Sequence, residues 1–164
     1  MQILNQIQID QKLNRIALQI WEENAHEKQI LLVGVQGNGF VLAKELTAKI
    51  NQLTLIKADC LEIEVNKSNP FEGLIKLNGT YGETKNGVLI LVDDVLNTGK
   101  TLMAAIQFFL PKACKRIQVM VLVNRNHKNF PVQADYIGMN LSTTLQEHVE
   151  VISIDGNLSE VVLK

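Results

Sequence analysis

The stretch Val88-Leu89-Ile90-Leu91-Val92-Asp93-Asp94-Val95-Leu96-Asn97-Thr98-Gly99-Lys100-Thr101 decides the reading of this chain. Its five leading aliphatic residues form a continuous run, which predicts a strand buried on both faces at the centre of a sheet. In open α/β sheets ligands collect at the carboxyl ends of the strands, where Asp93 and Asp94 stand. Two adjacent carboxylates there repel each other and need a partner: a diol, a metal cation or water. Asn97 to Thr101 then place one glycine and two hydroxyls at a helix N-terminus, whose free N–H groups and dipole favour a phosphate. A diol site beside a monophosphate site suits a sugar phosphate. Gly99-Lys100-Thr101 also matches the tail of a P-loop, but Asp94 stands where that motif needs its leading glycine. The bland alternative is two N-capping acids ahead of an ordinary helix.

Working outward, a helix over Lys100 to Leu110 is stopped by Pro111, and Ile117 to Val123 is the next buried strand. Upstream, Ile30 to Val35 reads as a strand, Gly37 and Gly39 as a turn, and Val41, Leu42, Leu46 and Ile50 as a helix face. Leu42 occupies the place of the last glycine in a dinucleotide fingerprint, which demotes hydride transfer. The repeated βαβ rhythm predicts an α/β fold, a central parallel sheet flanked by helices. Asp10 is the expected N-cap of a first helix running to His26. Leu53 to Ile56 and Leu61 to Val65 read as strands. Asn66 to Pro70 is a turn cluster entering a hairpin-like excursion at Gly73 to Leu77, followed by a polar stretch, Asn78 to Gly87. Beyond the polar loop Asn124 to Pro131, strands over Ala134 to Gly138, Val149 to Ile154 and Leu158 to Leu163, with a turn at Asp155-Gly156-Asn157, predict a small C-terminal cap.

A length of 164 residues fits a single domain, 1–164, large enough to bury a core without disulfides. With 46% apolar and only 5% aromatic residues, aliphatic side chains fill that core. Sixteen basic against seventeen acidic side chains leave no global field for a nucleic acid, so RNA binding would need a local patch and is not favoured. The aliphatic runs fall far short of the ~20 residues that span a bilayer. No basic stretch followed by an apolar segment opens the chain, and Cys60 and Cys114 lack ligand or CxxC spacing, so a reducing cytoplasm is expected. His26 and His148 have no spaced partner for metal or nucleophile work, and His127 reads equally as a solvated loop residue.

Taken together, the aliphatic run, the two acids and Val95 to Thr101 resemble the phosphoribosyl pyrophosphate (PRPP) motif of type I phosphoribosyltransferases. Ile30 to Ala43 is similar to the family's strand, pyrophosphate loop and helix. Leu122 to Val151, with Pro131, Ala134-Asp135-Tyr136-Ile137-Gly138 and Asn140, resembles the branch of bifunctional pyrimidine-operon attenuation regulators and uracil phosphoribosyltransferases. The resemblance implies transfer of a phosphoribosyl group from PRPP to a nucleobase, a pyrimidine and first of all uracil, with release of pyrophosphate. It implies that Asp93 and Asp94 hold the ribose hydroxyls directly or through Mg²⁺, and that Asn97, Thr98, Gly99, Lys100 and Thr101 bind PRPP, the last four around the 5-phosphate. Gln36, Gly37, Asn38 and Gly39 would face pyrophosphate. Among the base-site candidates, Tyr136 would stack on the base, Ile137 would offer its backbone, and Asn124 and Arg125 would reach base and pyrophosphate. A homodimer is expected.

Departures from the pattern bear on activity. The pyrophosphate turn lacks the Lys or Arg often found there, leaving neutral donors that bind an anion less strongly. The covering loop is cut down to Val65 to Gly73, with Lys67 its only cation. Asn97 stands where hypoxanthine-guanine enzymes use an acid, which weakens a purine assignment. These features open an alternative: a PRPP- or nucleotide-binding regulator of pyrimidine genes with little or no catalysis.

Overall fold

The computed structural model describes residues 1–82 and 86–164; of the polar stretch expected over Asn78 to Gly87, residues 83–85 lie outside the described residues. The main sheet has six strands in the order β4-β3-β2-β5-β6-β7: β2 (Gln29–Val35), β3 (Lys57–Glu64), β4 (Lys76–Asn78), β5 (Val88–Leu96), β6 (Arg116–Arg125) and β7 (Tyr136–Leu141). All neighbours run parallel except the edge strand β4. Strand alternation sorts the side chains. Ile30, Leu32, Ile90 and Met120 meet helices α1 (Gln6–Glu23) and α2 (Asn38–Leu53) on one face. Leu31, Val33, Leu89 and Leu91 meet α3 (Lys100–Phe109), through Leu102, Ala105 and Phe109, on the other.

A second, three-stranded antiparallel sheet has the order β1-β9-β8, formed by β1 (Gln2–Asn5), β9 (Asn157–Leu163) and β8 (Val149–Ile154). The cap is therefore built from both chain ends and not from the C-terminus alone. Its Leu4, Val149, Val151, Leu158 and Val161 bury against α1 and α2. The β8–β9 hairpin turns on Asp155 (φ 50°) and Gly156 (φ 76°), the two left-handed residues a two-residue loop requires.

Two local expectations are corrected. The first helix begins at Gln6, because Asn5 caps it: Gln8 N donates to Asn5 Oδ1 at 2.9 Å and Asn5 N donates to Gln8 Oε1 at 2.9 Å. Asp10 lies inside the helix and pairs with Lys49. Leu53 to Ile56 is not a strand; α2 runs through Leu53, and Thr54 N closes it on Ile50 O.

The turn after β2 depends on small residues. A Cβ on Gly34 would stand 2.5 Å from Phe40 Cα, so only glycine lets α2 fold back this closely over the strand. That approach brings the N-terminus of α2 beside the end of β5.

Candidate active site

Asp93 closes the buried part of β5 and is 5% exposed. Its Oδ1 accepts from Asp94 N at 3.0 Å, and Asp94 Oδ1 accepts from Val95 N at 2.9 Å. Burial, then the neighbouring Asp94 charge, push the Asp93 carboxyl well above the usual carboxylate range, with the Lys67 charge pulling the other way. Gly39 packs against the same spot: a Cβ there would meet Val92 O at 3.0 Å and Asp93 Oδ1 at 3.1 Å. The β2–α2 turn thus approaches Asp93 too closely for a side chain to stand between them.

Past Asp94, the chain forms a cradle lined by Asp93 and the residues from Val95 to Leu102. Gly99 caps α3 in the left-handed conformation, φ 85°, and supplies no side-chain cap, so the first-turn N–H groups of Thr101 and Leu102 are left without a side-chain partner. Thr98 Oγ1 accepts from Lys100 N at 3.3 Å. The loop after β6 braces this turn from outside, since Asn129 N and Phe130 N both donate to Thr98 O, at 2.9 and 3.1 Å. Over it lies the β3–β4 connection: Phe71 packs edge-on against Phe130 with ring centroids 5.4 Å apart, and Lys100 Nζ sits 5.5 Å from the Phe71 ring.

An open cavity of about 260 Å³ adjoins the acid pair and the cradle, sharing Val95 and Asn97 with the latter. Asn38, Asp94, Arg125, His148 and Val149 are among its walls. Gly37 turns the chain with φ 91°, and Asn38 Nδ2 donates to Val151 O at 2.7 Å, fastening this turn to the cap strand β8. Gln36 is exposed on the same turn. Arg125 is drawn into the segment Thr143 to Glu147, with which it makes four hydrogen bonds, and lines the same cavity as Asn38. His148 and Val149 are wall residues that sequence reasoning missed. Their only signal was adjacency to a strand start, since neither belongs to a motif.

The structure corrects the expected base contacts. Tyr136 is 1% exposed at the start of β7, remote from the carboxyl ends of the strands, and cannot stack on a ligand. Its hydroxyl shares a polar knot with Glu23 (3.0 Å), Gln118 (3.1 Å) and Asn24 (3.2 Å) beneath the end of α1. Burial and the Glu23 carboxylate hold its phenol far above the usual range. Ile137 O is already taken by Arg15 Nη2 at 2.9 Å. Ile137 and Asn124 line a separate depression with Phe130 and Val132, which shares no wall residue with the acid-pair cavity. Asn124 Nδ2 donates there to Asn140 Oδ1 at 2.7 Å. His127 bonds Thr143 O through Nε2 at 2.8 Å and so braces a loop.

Residues 1–155 match the phosphoribosyl transferase domain family, and the chain belongs to it. Fold and family define the class of PRPP-dependent phosphoribosyltransferases. Among named proteins, the chain is 32% identical over 160 residues to bifunctional protein PyrR of Haemophilus ducreyi, covering 91% of this chain and 87% of that one. It is 31% identical over 172 residues to the PyrR of Clostridioides difficile, covering 98% and 96%. Solved structures share the fold: a hypoxanthine phosphoribosyl transferase of Trypanosoma cruzi has a TM-score of 0.79 at 14% identity over 99% of this chain and 90% of its own. A hypoxanthine-guanine enzyme of Bacillus anthracis has a TM-score of 0.70 at 20% identity over 85% and 81%.

Enzymes of this family generally act with Mg²⁺, and the donor set here fits that ion. No cluster of three or more acidic, His or Cys ligands occurs among the described residues. Mg²⁺ does not need one, because it binds one or two carboxylates and completes its octahedron with substrate oxygens and water. Asp93 and Asp94 would supply that pair, and bound positive charge there would offset the burial and the Asp94 repulsion that raise the Asp93 carboxyl.

Proposed function

We propose that this chain transfers the phosphoribosyl group of PRPP to a ring nitrogen of a pyrimidine base, first of all uracil, releasing pyrophosphate in cytoplasmic nucleotide salvage. The observation that supports this reading is the close approach of Gly39 to Asp93, too tight for a side chain, which brings the β2–α2 turn beside the acid pair and the loop from Val95 to Leu102. Asp93 and Asp94 hold the ribose hydroxyls, directly or through Mg²⁺. Thr98 to Thr101 hold the 5-phosphate, with Asn97 at the junction with the acceptor cavity. The backbone of Gln36 to Gly39 faces the leaving group, and the base lies against His148 and Val149. Bound Mg²⁺ supplies positive charge to the departing pyrophosphate. The chain's own part is to fix the sugar in line between base and leaving group and to stabilise a cation-like sugar through the acid pair. No protein nucleophile is required. Pyrophosphate release measured with PRPP, Mg²⁺ and uracil tests this; release with another base would move the acceptor, and release with none would remove the activity.

A second reading has its own observation. The Gly37 turn carries no cation, and Asn38 is committed to Val151 O, so charge stabilisation of pyrophosphate is weak. A regulator that binds PRPP or a nucleotide with Mg²⁺ and turns over little or nothing fits that feature. Binding without pyrophosphate release selects it. The balanced charge disfavours RNA, which salt-dependent binding to a leader transcript would test. A homodimer belongs to either reading and is checked by sedimentation.

A further inference from the structure

The attacking nitrogen of a pyrimidine carries a proton and an amide-like lone pair, so it becomes a good nucleophile only as that proton leaves. Few walls of the open cavity beside Asp94 can take it. Asn38 and Asn97 are amides, Arg125 is a permanent cation, and the valines have no basic atom. Asp94, Glu150 and His148 remain. Asp94 is assigned to the ribose hydroxyls, and its Oδ1 already accepts from Val95 N. Glu150 pairs with Lys164, whose hydrogen bond and charge hold its carboxyl below the usual carboxylate range and make it a poorer base. His148 stands exposed just ahead of β8. Its backbone is fixed by a reciprocal pair, His148 N to Lys164 O and Lys164 N to His148 O, both at 2.9 Å, while among the described residues its ring makes no hydrogen bond. The main chain is held and the imidazole is left free.

Resting on the reading of this cavity as the acceptor site, we propose that His148 is the general base of the transfer, taking the proton from the attacking ring N–H of the pyrimidine. A neutral imidazole nitrogen takes that proton, and the electron pair of the N–H bond becomes the bond to the anomeric carbon of the sugar. The bond from that carbon to pyrophosphate breaks, and its pair leaves with the pyrophosphate oxygen. The imidazolium then returns its proton to solvent, to which the residue is open. Imidazole suits this task because its ordinary titration lies between about pH 5 and 8, so near neutrality it is both unprotonated and basic. The charges around it come from four strands: Asp94 on β5, Arg125 on β6, Glu150 on β8 and Lys164 just beyond β9. The two carboxylates favour the imidazolium as it forms and the two cations oppose it, with Lys164 drawn onto Glu150.

Pyrophosphate release with PRPP, Mg²⁺ and saturating uracil, followed from about pH 5 to 9, tests this. In the unmodified protein kcat should fall on the acid side of neutrality. His148→Ala should lower kcat by about a hundredfold or more, lose that acid limb and regain part of the rate in added imidazole, while PRPP–Mg²⁺ affinity and the thermal midpoint stay with the parent. The loss should be smaller with 5-fluorouracil, whose ring N–H is more acidic. A variant that keeps its kcat or its acid limb, or one that loses kcat equally with both bases and without rescue by imidazole, overturns this inference alone. PRPP binding without pyrophosphate release from any base overturns the transfer reading beneath it. An active unmodified protein without the acid limb also overturns the inference, whether or not the variant folds.

Discussion

Gly39 and Asp93, from two different βα units, leave no room for a side chain between them: a Cβ on residue 39 would begin 3.1 Å from Asp93 Oδ1. Gly39→Ala forces that carboxylate or Val92 O to move. We expect a loss of about 1–3 kcal/mol in stability from overpacking and a larger proportional loss of PRPP affinity. Thermal unfolding and calorimetry on one preparation check the pair of effects.

Raised by burial and by Asp94, the Asp93 carboxyl gives stability a definite pH dependence. The unfolded chain releases this proton near pH 4 and the folded chain releases it higher, so in this window the native state holds more protons. Its contribution is full below the unfolded value and is lost as pH rises through the folded one. Asp93→Asn removes that loss. The thermal midpoint of the variant should exceed that of the parent at pH 7 and lose this advantage near pH 4, and Mg²⁺ should stabilise the parent only.

Tyr136 separates scaffold from site. Tyr136→Phe leaves Glu23, Gln118 and Asn24 short of a buried partner, so stability should fall by about 1–3 kcal/mol. KM for PRPP and for the base should stay where they were. A raised KM for the base with an unchanged thermal midpoint would restore Tyr136 to the site.

Phe71 anchors the short connection over the loop from Thr98 to Lys100 through Phe130 and Lys100. Phe71→Ala should speed proteolytic nicking between residues 65 and 75 and raise KM for PRPP, while Phe71→Tyr keeps both close to the parent. Limited proteolysis followed by mass spectrometry reads the first effect directly.

The parallel core was legible because its signals are local. Val88 to Val92 is continuous and branched, and Gly37 and Gly99 sit where the backbone needs φ of 91° and 85°. The hairpin at Asp155-Gly156 was legible for the same reason. What failed depends on residues distant in sequence. Tyr136 became a core residue because the end of α1, 112 residues earlier at Asn24, covers it. The cap recruited β1 through pairs such as Gln2 with Val162, which no periodicity announces. His148 and Val149 enter the candidate site because β8 packs on the core through Val149 and Val151 and Asn38 Nδ2 donates to Val151 O, contacts between residues distant in sequence. Leu53 to Ile56 read as a strand because a short apolar run is ambiguous, and α2 had turns enough to absorb its start.

We propose that Asp93 and Asp94 hold a ligand and do not stabilise the fold. The measurement that tests it most directly is the PRPP–Mg²⁺ affinity of the double variant Asp93→Asn with Asp94→Asn, taken with its thermal midpoint. Like charges at a strand end oppose folding, so we expect binding to be abolished with the midpoint unchanged or slightly raised. Were the acids instead helix-capping charges, their loss would cost about 0.3–1 kcal/mol each and binding would survive. An unchanged affinity with a lowered midpoint would make the two acids part of the scaffold and not of a ligand site.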